Sequence, residues 1–238
     1  EGFTSIDPDT WLSPGSLDAA RRAVGGAMRA VDMVMEGAVR NAFVAMRPPG
    51  HHAESARAMG FCLFGTAALA AFHALAAHGL SRVGIVDFDV HHGNGTQDLV
   101  WNEPRIFFAS SHEMPLFPGT GAPTERGAHD TIVNVPLAAG DGGAALRRAW
   151  EGRILPRLDA FRPELVVISA GFDAHRDDPL ASLRMTEADF AWLTGAICEV
   201  AATHAGGRVV STLEGGYDLA ALAASAAAHV RTLMEQGA

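Results

Sequence analysis

Short apolar runs rich in Val, Ile, Leu and Phe alternate with longer stretches in which Ala and Leu recur at helical spacing. The runs at Ala42–Met46, Val83–Asp87, Ile106–Ala109, Ile132–Val135, Leu165–Ser169 and Arg208–Leu213 predict strands. Helices are predicted near Leu17–Glu36, Thr66–Ala77, Thr96–Trp101, Gly143–Asp159, Thr186–Ala202 and Leu219–Met234. Thr186-Glu187-Ala188-Asp189 has the form of a capping box, and Gly79 suits a helix stop. This alternation implies βαβ units and a mainly parallel sheet covered by helices on both faces, an α/β protein. No repeat, low-complexity linker or break divides residues 1–238, so a single domain is expected.

The polar signatures follow strand after strand: Arg47–His52, Asp87–Asn94, Ser110-Ser111-His112, Asp173 and Glu214–Tyr217. Ligands of α/β sheets bind at the carboxyl ends of the strands, so these clusters are expected on one rim. The segment Asp87-Phe88-Asp89-Val90-His91-His92-Gly93-Asn94-Gly95-Thr96 carries the most information. Asp87, Asp89 and His91 are spaced by two, which turns them to one side of an extended chain. Carboxylates and an imidazole buried together are costly to desolvate unless they are paired, and a divalent metal pairs them. Asp89 and His91 are candidate ligands, with Asp173 as the third. An Asp/His/Asp set leaves positions open for water and substrate and suits Zn²⁺, with Fe²⁺ or Co²⁺ as alternatives. The competing structural reading has the carboxylates capping the next helix.

His51-His52 follow Arg47-Pro48-Pro49-Gly50, a stiff turn that fixes both rings. They are a candidate base and electrostatic partner, and Asp87 and Asn94 could each orient one ring. An anion behind one imidazole and a neutral amide behind the other should separate their protonation states. Tyr217, the only tyrosine, follows Glu214-Gly215-Gly216, where the glycines could bring its phenol close to a ligand to stabilise an oxyanion. Phe61 and Phe117 sit in glycine-rich loops and could wall an apolar channel. His73, His78, His129, His204 and His229 have no motif context and read as surface or core residues.

Composition narrows the function. With 48% hydrophobic and 19% charged residues the chain is an ordinary globular protein, and no stretch has the length of a membrane span. Nothing at the start looks like a signal peptide, and Glu1 in place of Met suggests a fragment or a processed product. Cys62 and Cys198 lack metal-ligand spacing and are expected to be reduced, buried thiols in a cytoplasmic protein. All 18 basic residues are arginine, so lysine chemistry is excluded. A net charge of −9 without a basic stripe argues against nucleic-acid binding.

Taken together, Arg47–Ala53, Gly60–Phe64, Asp87–Gln97, Phe117–Gly121, Ser169–Asp173 and Glu214–Tyr217 closely resemble the histone deacetylase superfamily, its class II-like bacterial members most. The resemblance runs from about Thr10 to the C-terminus. It implies the arginase/deacetylase fold, one domain around an eight-stranded parallel sheet, and removal of an acetyl or other acyl group from a lysine side chain or small acylated amine. It implies Asp89, His91 and Asp173 as Zn²⁺ ligands, His52 as general base and acid, and His51 as electrostatic partner. Tyr217 would polarise the carbonyl, Asp87 would orient His51, and Asn94 would stand beside His52. Substrate would pass Phe61, Phe117, Leu180 and Gly215, with the Gly60 carbonyl accepting the amide N–H. A K⁺ or Na⁺ ion would sit near Asp87, Asp89, His91, Ser110 and Ser111. A homo-oligomer is compatible with the family.

Family members usually carry Asn-Asn where this chain has Gly65-Thr66, a change that removes no catalytic group. The chain also begins where the family's first large helix is about to start. The N-terminal strand and first rim loop are therefore expected to be missing, leaving the channel open on one side. An arginase-like two-metal reading is disfavoured because Gly93 and His175 occupy the places of its extra carboxylates. A non-catalytic acyl-ligand binder is the other competing class. Acetylpolyamine deacetylases tend to carry an acid where this chain has Leu180, which favours an acyl-lysine peptide or small acylated amine. Asp7 or Asp9 could anchor a substrate backbone.

Overall fold

A computed structural model describes residues 2–237. A two-stranded antiparallel hairpin, β1 (Thr4–Asp7) and β2 (Thr10–Leu12), precedes the long helix α1 (Ser16–Met35). There follow β3 (Asn41–Val44), α2 (Thr66–Ala77), β4 (Val83–Asp87), α3 (Asn94–Val100), β5 (Ile106–Glu113) and β6 (Ile132–Leu137). Next come α4 (Gly143–Ala149), a π-helical stretch at Trp150–Ile154 and α5 (Leu155–Phe161). The chain continues with β7 (Leu165–Ala170), α6 (Glu187–His204), β8 (Val209–Leu213) and α7 (Leu219–Gln236).

Six strands form one parallel sheet in the order β3-β8-β7-β4-β5-β6. Alternation along the strands divides the core. Val83, Ile85, Ile106, Phe108, Leu165, Val167 and Val210 face α1 and α2, while Val86, Phe107, Ala109, Val166, Ile168 and Val209 face α4 to α7. Both faces are buried, which explains why these strands read as unbroken apolar runs. The α1/α2 side is alanine-rich: Ala67, Ala68, Ala70, Ala71 and Ala74 are all fully buried, so α2 packs close to the sheet.

Four expectations need correction. The sheet among the described residues has six strands, not the eight implied by the resemblance. The hairpin β1–β2 was not expected; Pro8-Asp9 supplies its turn, and its strands are too short to register as an apolar run. It braces the rim expected to lie open, because Asp9 accepts the Gly60 N–H (2.9 Å), Thr10 Oγ1 accepts the Phe61 N–H (3.1 Å) and Arg57 pairs with Asp7. Strand β5 runs four residues past Ala109, through Ser110-Ser111-His112-Glu113, all buried. Those polar side chains are satisfied inside the protein: Ser110 bonds His112, Trp150 donates to Ser111, and Glu113 accepts from the Ser182 amide. The helix expected over Gly143–Asp159 is continuous but bulges to π-form before Pro156, where proline removes a backbone donor.

Candidate active site

Parallel pairing brings the polar clusters to one rim. Asp87, the last residue of β4, stands in register with Ser110 of β5 and Ser169 of β7, so the loops after these strands leave the sheet side by side. The Asp87 and Asp89 side chains are completely buried, as is Asp173 in the loop after β7. Ligand atoms of Asp89, His91 and Asp173 lie within 4.8 Å of one another. His91 Nδ1 is 3.1 Å from Asp89 Oδ1 and 3.2 Å from Asp173 Oδ2.

Backbone amides fix the remaining oxygens. Gly215 N–H donates to Asp89 Oδ2 (2.8 Å) and Val90 N–H to Asp173 Oδ1 (2.9 Å), which leaves one oxygen of each carboxylate turned toward His91. A Cβ at Gly215 would strike the Asp173 carboxylate, so only glycine permits this approach. Burial and the Asp89 charge push Asp173 up to about 7. Burial works against a charged His91, yet Asp173 and Asp89 overcome it and raise the imidazole to about 10. The three groups thus surround a point where positive charge is strongly favoured. Two carboxylate oxygens and one imidazole nitrogen are the donor chemistry of a divalent metal, and the triad fits one.

Behind the triad, His51 and His52 pack with ring centroids 4.0 Å apart. His51 Nδ1–H donates to Asp87 (3.0 Å) and His52 Nδ1–H to Asn94 Oδ1 (2.8 Å). Asn94 passes its own N–H on to Glu54 (2.7 Å), which fixes the amide so that its oxygen faces the ring. Burial opposes a charge on His51, but Asp89 and then Asp87 outweigh it and hold this ring protonated, well above the usual imidazole range. Burial, and after it the His51 charge, drive His52 well below that range. The expected asymmetry between the two rings is present.

A cavity of about 110 Å³ opens above them, lined by Asp9, His52, Gly60, Phe61, His91, Phe117, Leu180 and Tyr217. The Phe117 ring meets His52 edge-on at 5.1 Å, and Phe61 stands 6.1 Å from Tyr217 across the opening. Gly60 has φ +55°, and a Cβ there would collide with the His52 ring. Phe61, next in the chain, has φ +66°, a costly conformation for a bulky residue that turns its ring to the cavity mouth. Of the expected substrate residues, Gly60, Phe61, Phe117 and Leu180 line this cavity, whereas Gly215 lies beneath it against the carboxylates. Asp9 also lines it, but one of its oxygens is engaged by Gly60 and Thr10; Asp7 is occupied by Arg57. Of the expected monovalent-ion residues, Asp87, Asp89 and His91 belong to this cluster, while the hydroxyls of Ser110 and Ser111 bond His112 and Trp150.

Two residues hold the site in ways the sequence does not indicate: Glu214, which it places on the rim without a role, and Asp178, which it does not single out. Glu214 is fully buried, accepts the N–H groups of Gly50 (2.7 Å) and His51 (3.1 Å), and is raised to about 7 by burial. It ties the turn carrying both histidines to the end of β8. Asp178 accepts the Tyr217 N–H (2.7 Å) through one oxygen and the Leu180 N–H (3.0 Å) through the other, so one carboxylate sets two residues of the cavity wall. Neither contact has a local sequence signal, since the partners are 39 or more positions apart for Tyr217 and for both amides held by Glu214.

Fold and site together define an α/β protein with a triad able to hold a metal and a histidine pair at the carboxyl edge of a parallel sheet. The histone deacetylase domain model matches residues 1–233. The chain belongs to the histone deacetylase family. It is 44% identical over 234 residues to an uncharacterized protein of Synechocystis, covering 98% of this chain and 75% of that one. It is 45% identical to the chloroplastic histone deacetylase 14 of Arabidopsis thaliana, covering 94% and 55%, and 41% identical to a histone deacetylase-like amidohydrolase of Pseudomonas aeruginosa, covering 91% and 58%. The crystal structure of an HDA15 HD domain superposes with a TM-score of 0.93 at 40% identity, covering 98% of this chain and 66% of that one. The chain thus spans three quarters of the Synechocystis protein and little more than half of the Arabidopsis and Pseudomonas proteins.

Proposed function

We propose that this protein is a metal-dependent deacetylase that hydrolyses the amide of an acyl-lysine side chain or a small acylated amine, giving a carboxylate and a free amine. The observation that carries this reading is one small cavity whose lining brings His52, Tyr217 and the candidate metal ligand His91 together with the rings of Phe61 and Phe117. The relatives named deacetylase and amidohydrolase support the same chemistry.

Asp89, His91 and Asp173 would hold the ion, and we assign it as Zn²⁺ with Fe²⁺ or Co²⁺ as substitutes. A divalent ion there supplies Lewis-acid polarisation of the carbonyl and lowers the pKa of water. The remaining steps belong to side chains. His52 is tied to Asn94 through Nδ1, which leaves Nε2 with a lone pair for the cavity. It takes a proton from the attacking water as the C–O bond forms, and the cation on His51 limits how long it holds that proton. Tyr217, its phenol kept neutral by burial and then by Asp89 and Asp173, donates to the developing oxyanion. His52 then delivers the proton to the amine nitrogen as the C–N bond breaks. Phe61 and Phe117 exclude water along the stem of the substrate. A monovalent cation near Asp87, Asp89, His91, Ser110 and Ser111 belongs to the same proposal.

Among the described residues no helix is long and apolar enough to cross a membrane. Two buried free thiols support a reducing compartment such as the cytoplasm. Asp9 at the cavity wall favours a second reading, an acetylpolyamine substrate whose cationic chain it would attract, whereas Leu180 favours the neutral stem of acyl-lysine. The test is turnover of metal-loaded protein on acetyl-lysine peptide and acetylpolyamine side by side. Preference for the peptide supports the primary reading. Preference for polyamine that is lost in Asp9→Asn replaces it with the second, and no turnover of either amide returns the protein to the class of acyl-ligand binders.

A further inference from the structure

Among the described residues a second group of three brings metal-ligating atoms within 4.8 Å of one another: Asp32 near the end of α1, His73 in the last turns of α2, and His78 at the α2 C-cap. His73 Nε2 lies 2.7 Å and His78 Nε2 2.8 Å from the same oxygen, Asp32 Oδ1. The two rings stand nearly perpendicular, 83° apart with centroids 5.7 Å apart. All three side chains are half-buried. We propose that Asp32, His73 and His78 form a second metal site, for a divalent ion of the zinc class, that clasps α1 to α2.

Three observations converge on it. Two imidazoles satisfied by hydrogen bonding alone could divide themselves between both carboxylate oxygens. Here both Nε2 atoms converge on one oxygen, which gathers three metal-ligand atoms within 4.8 Å. A four-coordinate zinc ion needs its ligand atoms about 3.3 Å apart, given bond lengths near 2.0–2.2 Å. Each Nε2 need therefore move away from Asp32 Oδ1 by only about half an ångström, and the two nitrogens, already within 4.8 Å, must settle at the same spacing from each other, adjustments that half-buried side chains can make. The ion takes the place of the two Nε2 protons, which pass to Nδ1 or to solvent.

The second observation is electrostatic. Helix α1 leads into β3 and α2 into β4 of the parallel sheet, so the C-termini of both end on its amino edge, opposite the rim of the candidate active site. Helix C-termini carry partial negative charge and favour cations. The third is access. Partial exposure lets an ion enter without a channel and leaves water as its fourth ligand, as in other sites with two histidines and one carboxylate. The site is built from other residues than Asp89, His91 and Asp173, and it stands whether or not the rim hydrolyses amides.

The test compares metal content of the wild-type protein and of the double variant His73→Gln, His78→Gln after equilibrium dialysis against Zn²⁺ and, separately, Co²⁺. The wild type should hold one equivalent more than the variant, while both show the same rate on acetyl-lysine peptide. At a zinc concentration 100-fold above the Kd, the wild-type Tm should rise further than the variant's by about 5–10 °C. Mg²⁺, an oxygen-preferring ion, should reproduce neither effect. Equal stoichiometry and equal Tm shifts in the two proteins overturn the proposal. Should the variant not fold, the imidazole Cε1–H resonances of His73 and His78 in the wild type decide: movement on adding Zn²⁺ supports the site, and unmoved resonances refute it.

Discussion

His52 and His229 are both almost wholly buried imidazoles, yet their surroundings are opposite. His229, on α7, is closed at both ends: Nδ1 bonds Thr194 Oγ1 on α6 (2.7 Å) and Nε2 bonds Ser211 Oγ on β8 (2.9 Å). Phe43, Phe88 and Phe172 surround it edge-on. His52 has one nitrogen tied to Asn94 and borders the cavity with the rest of its ring. Burial alone lowers His229, whereas for His52 the neighbouring His51 cation adds to burial. A structural histidine spends both nitrogens on the fold. A working one keeps a nitrogen for something that arrives later.

The sharpest way to break this contrast is to remove each ring in turn. His52→Ala should lower kcat on an acetyl-lysine peptide by about 10²–10⁴-fold, the usual worth of a general base. Its Tm should fall less than that of His229→Ala, because the vacated space joins the cavity and water can reach the Asn94 oxygen left behind. Wild-type turnover in this variant, measured with the metal content held equal, would remove His52 from the chemistry. Tyr217→Phe comes next, with kcat down about 10²–10³-fold and KM nearly unchanged, because the phenol donates to charge that exists only in the transition state. A rise in KM at constant kcat would instead make Tyr217 a substrate-binding group.

Why one histidine was legible in the sequence and the other was not follows from the same contrast. His51-His52, Asp87, Asp89, His91 and Asn94 sit in two short segments at strand ends, so topology alone carries them to one place. The two hydroxyls holding His229 come from positions 35 and 18 residues away, and hydroxyls leave no pattern. Asp32, His73 and His78 failed to register for the same reason, since 41 residues separate Asp32 from His73. Strand β5 was cut short at Ala109 because polarity reads as surface, whereas Ser110–Glu113 are polar and buried. Periodicity reports which face of an element is covered. It does not report what a polar side chain finds there.

Removing the His229 ring should have the reverse signature of His52→Ala. His229→Ala strands the buried Ser211 hydroxyl, at about 1–3 kcal/mol for an unsatisfied group, whereas Thr194 Oγ1 keeps its bond to the Phe190 carbonyl. A loss of that order corresponds to a fall in Tm of roughly 2–4 °C per kcal/mol for a chain of this size. Catalytic rate per folded molecule should be unchanged. An intact Tm combined with reduced kcat would mean that His229 communicates with the rim and is not purely structural.

The smallest effect is in pH dependence, and it separates closure from mere burial. In the folded protein burial lowers His229 to about 3, against an ordinary value of 6.5. Between those values the unfolded chain binds a proton that the folded protein refuses, so unfolding takes up protons and stability rises with pH. The stabilising contribution is complete above about pH 6.5, drains away as pH falls toward 3, and levels off below. Its slope approaches about 1.4 kcal/mol per pH unit inside the window. His229→Gln has no titrating ring and should flatten the dependence of unfolding free energy on pH by about that amount between pH 6 and pH 4, with the curves parallel above pH 7. Parallel curves throughout would mean that the hydroxyls of Thr194 and Ser211 accommodate the protonated ring as readily as the neutral one. A ring held by two hydroxyls should still refuse the proton because no anion stands near it, and that lack is what distinguishes it from His51.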